Sequence, residues 1–231
     1  SNTASQILLY KALGFKPPVF AHHSLITGKD RAKLSKRHGS VSVREFKKRG
    51  FLPEAIVNYL SLLGSSFGEG QEIFSSDQIV RDFSLDKTGK GSAIFDEDKL
   101  KWINSAYIRN YDLDALIQAL VPFIGEAGYN YDSLDRAWLH DVVAAVQGNL
   151  TLLTDIGTCL DLFSADRFIL SAEATALLRE GRSLEVVRLF HQALLTADLP
   201  AADLLGAAVK IVRKESGLKG RELYMPLRAA I

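Results

Sequence analysis

The sequence predicts an all-α protein, with any strands short and confined to the first forty residues. Three observations carry this. Apolar residues recur at helical spacing in almost every segment, capping and stop residues punctuate them, and no stretch sustains the two-residue alternation of a half-buried strand.

Taken in order, SQILLYKALG offers Ser5 as a cap, apolar Ile7, Leu8 and Leu13, and Gly14 as a stop. Ser42 and Glu45 have the three-residue spacing of a capping box before VREFKKRG, which ends at Gly50. PEAIVNYLSLLG starts on Pro53, where a helix tolerates proline, and stops at Gly64, with Ile56, Tyr59, Leu60 and Leu63 as its apolar stripe. After the glycine-rich GSSFGEGQE, a short helix is expected from Ser76 to about Phe83, KTGKGSAIF reads as a loop, and DEDKLKWINSAYIR reads as a helix over 96–109. From YDLDALIQALVPFIG onward helix follows helix, broken at Gly128, near Gly148, around Ser171, at Gly181, at Leu199-Pro200 and at Gly217.

With 231 residues and 47% hydrophobic content the chain can bury a sizeable core, as one large domain or two smaller ones. No run approaches the ~18 apolar residues of a membrane span, and the N-terminal SNTASQILLY lacks the pattern of a signal peptide, so a cytosolic protein is expected. The single cysteine, Cys159, can form neither an internal disulfide nor a metal site, and it reads as a small core residue. The net charge of +1 conceals an asymmetry: residues 1–110 hold 17 Lys and Arg against 11 Asp and Glu, whereas 111–231 hold 11 against 16. Between Lys29 and Arg49 there are nine basic residues and only two acids, Asp30 and Glu45. Such a segment suits a phosphate-bearing partner docked at one place.

The centre of that segment is AKLSKRHGS, residues 32–40. A phosphate chain needs several converging donors, and Lys33, Ser35, Lys36 and Arg37 supply ammonium, hydroxyl and guanidinium groups on one short loop. Composition alone leaves a solvated basic loop as the alternative. The order of residues resolves it: Lys33–Arg37 resembles the K-M-S-K-S signature of class I aminoacyl-tRNA synthetases in the K-L-S-K-R form of the bacterial-type glutamyl-tRNA synthetases. LLYKALG and PPVFAH before the loop, then GSVSVREFKKRGFLPEAIVNYLSLLG, FDEDKLKWINSAYIR and KGRELYMPLRAAI, are similar to that family in order and spacing across the whole chain.

The resemblance implies a parent enzyme that joins glutamate and ATP, with Mg2+, into glutamyl-adenylate and passes the acyl group to the terminal adenosine of tRNA. It implies that Lys33, Ser35 and Lys36 contact the ATP phosphates, with Lys36 stabilising transition-state charge. Arg37, Arg44, Lys47, Lys48, Arg49 and Lys99 become candidate tRNA contacts, and Trp102 reads as a packing anchor. Asn149 falls where many bacterial relatives carry an arginine that reads the third anticodon base. A neutral side chain there adds tRNA-Gln to tRNA-Glu as a candidate partner.

The family's H-I-G-H signature is missing, since His22-His23 is followed by Ser24 and Leu25. The chain is therefore expected to be a C-terminal fragment, inactive alone and binding no cofactor by itself. Its expected parts are the tail of the catalytic half (1–32), the signature loop with a helical stem-contact region (33–110), and a helical anticodon-binding domain (111–231) cut short at its C-terminus. A monomer with no membrane contact and no resident metal is expected. Two other readings stay open: a stand-alone helical RNA-binding protein, and a module that docks a partner protein through its acidic half. A tRNA-modifying paralogue is disfavoured by the helical second half, and a glutaminyl enzyme by the helical period of SLEVVRLFHQALL.

Overall fold

A computed structural model of the chain describes residues 2–22, 25–34, 42–65, 70–89, 91, 93–164, 166–196 and 200–230. Helices dominate, as the sequence predicts. In order they are α1 (Thr3–Ala12), α2 (Val43–Lys48), α3 (Pro53–Gly64), α4 (Ser76–Asp82), α5 (Glu97–Arg109), α6 (Leu113–Glu126), α7 (Arg136–Val146), α8 (Ile156–Leu162), α9 (Ala172–Leu178), α10 (Ser183–Thr196), α11 (Ala201–Ser216) and α12 (Arg221–Ala230).

Ser42, Ser75, Asp96, Asp112, Asp135 and Ser171 cap helix starts with their side chains. Ser42 accepts from the Glu45 amide at 3.3 Å, and Asp96 accepts from the Asp98 and Lys99 amides at 3.0 and 3.4 Å. Ser75 and Gln78 close a full capping box on α4. The first helix departs from expectation: it begins at Thr3 behind Asn2, so Ser5 lies inside it and caps nothing, and none of its residues is buried. The stripe read on α3 also needs correction. Ile56 and Tyr59 are buried, but Leu60 is 44% exposed and Asn58 takes a core position. The Asn58 amide donates to Glu72 O at 2.8 Å while its oxygen accepts from Phe74 N at 2.7 Å, which fastens the segment before α4.

One strand lies outside the first forty residues. β1 (Ile26–Thr27) pairs in parallel with β2 (Ala93–Ile94), with Ile26 opposite Ala93 and Thr27 opposite Ile94. Two residues are too few to show a period, and their pairing partner is remote in sequence, so nothing local marks Ala93–Ile94 as a strand.

The chain divides into two compact units, Ser1–Gly157 and Thr158–Ile231. The first is built around α3 and α5, with Tyr59, Leu100, Ile103, Leu116, Leu120 and Leu139 at most 1% exposed. Phe46, Phe51, Tyr59 and Phe95 form a chain of ring contacts with centroids 5.5–5.9 Å apart. Compactness draws its boundary well past the one read near residue 110, because the turn after α7 is tied to α5 by side-chain hydrogen bonds: Gln147 donates to Ile108 O and Tyr111 O, and Asn104 to Thr151 O. The second unit has its own core of Val186, Phe190, Ala193, Ala208, Val212, Leu223 and Leu227.

Candidate nucleic-acid interface

Lys33 sits at the foot of the basic loop, and the local backbone fixes it there. It forms an antiparallel bridge with Thr27, and Leu34 N donates to Ile26 O at 3.2 Å. The turn between is closed by Gly28 N donating to Ala32 O at 2.9 Å and by Asp30 accepting from the Ala32 amide at 2.9 Å, with Arg31 at φ 61°. On the other edge of β1, Phe95 N donates to Thr27 O at 2.8 Å, so the foot of the loop is joined to the start of α5. Lys33 is exposed and has no ion-pair partner among the described residues. Ser35, Lys36 and Arg37 lie outside the described residues. The far flank resumes at Ser42, held by its cap on α2.

The cations that follow are not equivalent. Arg44, Lys47 and Lys48 are exposed and lack ion pairs among the described residues. Arg49 turns inward. Its guanidinium lies 5.8 Å from the Phe46 ring and 5.3 Å from the Phe51 ring, and it meets Glu97 at 2.5 Å. Glu97 also takes Lys101 at 3.1 Å, and the Arg49 hydrogen bond, ahead of Lys101 and against the opposing effect of burial, holds its carboxyl below the ordinary glutamate value. Lys99 is engaged as well, 2.6 Å from Glu72. Among the nominated cations that lie in the described residues, Lys33, Arg44, Lys47 and Lys48 are therefore the ones available to a polyanion, while Arg49 and Lys99 hold the fold.

Trp102, expected as a packing anchor, is 47% exposed. On the helical wheel it falls opposite Leu100 and Asn104, which face the core. Asn149 ends a 3-10 turn, Gln147–Asn149, and is exposed together with Gly148, while Leu150 behind it is buried.

Negative charge is more localised than a division at residue 110 suggests. Residues 111–157 hold one basic residue, Arg136, against seven acids, whereas 158–231 hold ten basic residues against nine acids. The acids thus share a compact unit with the basic 29–49 segment, and the second unit is close to neutral. Asn104, Asn58 and Gln147, which sequence reasoning did not nominate as site residues, organise this unit from inside it; a polar residue at a core-facing helical position is the signal that marks the first two.

Two family profiles match the chain: "tRNA synthetases class I (E and Q), catalytic domain" over residues 1–102, and "Anticodon binding domain" over residues 115–231, half of its length. The chain belongs to this family of class I tRNA synthetases. It is 50% identical over 231 residues to glutamate–tRNA ligase 2 of Syntrophus aciditrophicus, covering all of this chain and 48% of that protein. It is 44% identical to glutamate–tRNA ligase of Heliobacterium modesticaldum, again over all of this chain and 47% of the relative. The chain spans about half the length of the curated relatives it matches. Crystal structures of a glutamate tRNA ligase from Elizabethkingia meningosepticum and of glutamate-tRNA synthetase from Elizabethkingia anophelis share its fold, with TM-scores of 0.74 and 0.72 at 24% identity. Each alignment covers 98% of this chain and 48% of the other.

Proposed function

We propose that this chain is the tRNA-holding part of a glutamate–tRNA ligase, the enzyme that activates glutamate with ATP and transfers it to tRNA. One observation carries the reading: the K-L-S-K-R stretch begins at a Lys33 that is exposed, unpaired among the described residues and fixed on the β1 edge, and it is followed by exposed Arg44, Lys47 and Lys48. In this reading Lys33, Ser35 and Lys36 meet the ATP phosphates, and Lys36 bears the charge that grows in the transition state. Arg44, Lys47 and Lys48 take RNA phosphates, Arg37 continues that path, and Asn149 faces the anticodon. Glutamate, ATP, tRNA-Glu and, as a second acceptor, tRNA-Gln are the substrates of the whole enzyme, which works as a cytoplasmic monomer. Among the described residues no group of three His, Cys, Asp or Glu side chains is placed to hold a metal ion. No described helix is long and apolar enough to cross a membrane.

Filter binding of the 231-residue chain to tRNA-Glu, tRNA-Gln and an unrelated tRNA across a salt series tests the binding role. Tighter binding of tRNA-Glu than of the unrelated tRNA is expected; equal, weak and steeply salt-dependent binding of all three would refute anticodon recognition by the chain. For the loop, Lys36→Ala in a full-length ligase carrying this segment should slow glutamate-dependent pyrophosphate exchange far more than it weakens tRNA binding. Unchanged exchange would remove Lys36 from the chemistry. The 231-residue chain itself, which has no H-I-G-H motif, should show no exchange.

A further inference from the structure

The geometry points to Asn104 and Gln147 as positioning residues that hold the Gly148–Asn149 turn ready for RNA, an inference that rests on the anticodon role proposed above for Asn149. The turn is tethered on both sides by side-chain amides, and both tethers run to α5. Before it, Gln147 Nε2 donates to Ile108 O at 2.8 Å and to Tyr111 O at 2.9 Å, the carbonyls where α5 ends. After it, Asn104 Nδ2 donates to Thr151 O at 2.6 Å, while Asn104 Oδ1 accepts from Leu52 N at 2.8 Å. Asp155 adds a third hold, accepting from the Thr151 and Leu152 amides at 2.9 and 2.8 Å. Asn104 is 0% exposed and Leu150 1%, while Gln147, Thr151 and Asp155 are half-buried.

Between them only Gly148 and Asn149 face solvent. A surface Gly-Asn pair needs no such support to satisfy its backbone, because water does that. Three side chains spent on fixing it make sense when the turn must keep one conformation before a ligand arrives, since the ordering cost is then met in folding and not in binding. The ligand that fits is an unpaired nucleotide base. The 111–157 segment carries seven acids against the single base Arg136, a composition unsuited to phosphate, while the Asn149 side chain offers both a donor and an acceptor to a base edge.

A double-mutant cycle on tRNA-Glu affinity, measured with the full chain, tests this. Asn104→Asp keeps the acceptor facing Leu52 N and removes the donor facing Thr151 O. Gln147→Glu removes the donor facing Ile108 O and Tyr111 O. Two variants are used so that a folding defect in one, checked by helical circular dichroism, leaves the other informative. Asn149→Ala alone should weaken binding about threefold to tenfold. Each positioning variant should weaken it by a similar factor, and Asn149→Ala should then add less than about twofold in either background. For Asn149→Ala, which changes no charge, the slope of affinity against salt should not move, because no phosphate contact is lost. If Asn149→Ala costs the same factor in every background, Asn104 and Gln147 serve folding only and the inference is overturned. If Asn149→Ala alone costs nothing, the RNA role of Asn149 falls first and takes the inference with it.

Discussion

Arg44 and Arg49 are five positions apart on the same basic segment and have opposite fates. Arg44 is exposed, whereas Arg49 lies over two phenyl rings and against Glu97 with its side chain only 27% exposed. Arg49→Ala should therefore lower unfolding stability by about 1–2 kcal/mol in a denaturant titration, through lost stem packing, cation–π attraction and the ion pair. Arg44→Ala should leave stability within ~0.5 kcal/mol but reduce the salt slope of tRNA binding by about one. The same pair sets an acid dependence. Because Arg49 holds the Glu97 carboxyl below its ordinary value, the folded state binds that proton less readily than the unfolded chain. The pair's contribution is complete above the ordinary glutamate value and is lost as the pH falls through the lowered one. Unfolding titrations over that acid range should show a shallower loss in Arg49→Ala than in the parent. Sequence shows both arginines as cations; it does not show which one finds Glu97, 48 residues away.

At the scale of elements, Gly50 is the tightest joint. It ends α2 at φ +85°, and a Cβ there would sit 2.7 Å from Thr154 N and 2.8 Å from Leu153 N, both backbone atoms that cannot swing aside. Gly50 O also accepts from Leu153 N at 2.9 Å, and the Thr154 hydroxyl donates to Arg49 O at 3.3 Å. Gly50→Ala should cost roughly 2–4 kcal/mol, combining left-handed strain with displacement of the 153–154 turn. Gly14→Ala, also at a positive φ but with nothing within 4 Å, should cost only about 1 kcal/mol. Thermal melts of the two variants give the comparison directly. Gly50 was legible as a helix stop, as were Gly64, Gly128 and Gly217, and Pro53 as a helix start, because such signals depend on the residue's own conformational preference. That Gly50 is also a contact surface was not legible, since the chain segment it touches, Leu153 and Thr154, arrives from far along the sequence. The exposed positions of Leu60 and Trp102 were misread for a related reason: helical spacing says which residues share a face, not which face meets a neighbour.

Across the whole molecule, charge is sorted by segment. The basic 29–49 run and the acidic 111–157 run belong to one compact unit, and the other unit is nearly neutral. Under the proposed function this separation favours RNA approach through the basic run, and contact at the Asn149 turn is assigned to bases and not to phosphate. Asp114→Asn combined with Asp141→Asn, both at exposed positions, should raise affinity for every tRNA a few-fold at low salt and narrow the gap between tRNA-Glu and an unrelated tRNA. Unchanged ratios in filter binding would show that the acids do not contribute to selection. What the amino-acid order determined by itself was the succession of helices, most of their caps and stops, the charge distribution and the K-L-S-K-R signature, all of which depend on neighbours within about one helical turn. Tertiary structure alone decided the parallel pairing of Ile26–Thr27 with Ala93–Ile94, the withdrawal of Arg49 and Lys99 into ion pairs, and the clamping of the Asn149 turn onto α5. Those outcomes need partners dozens of residues apart to meet, and no local pattern along the chain records which partners will meet.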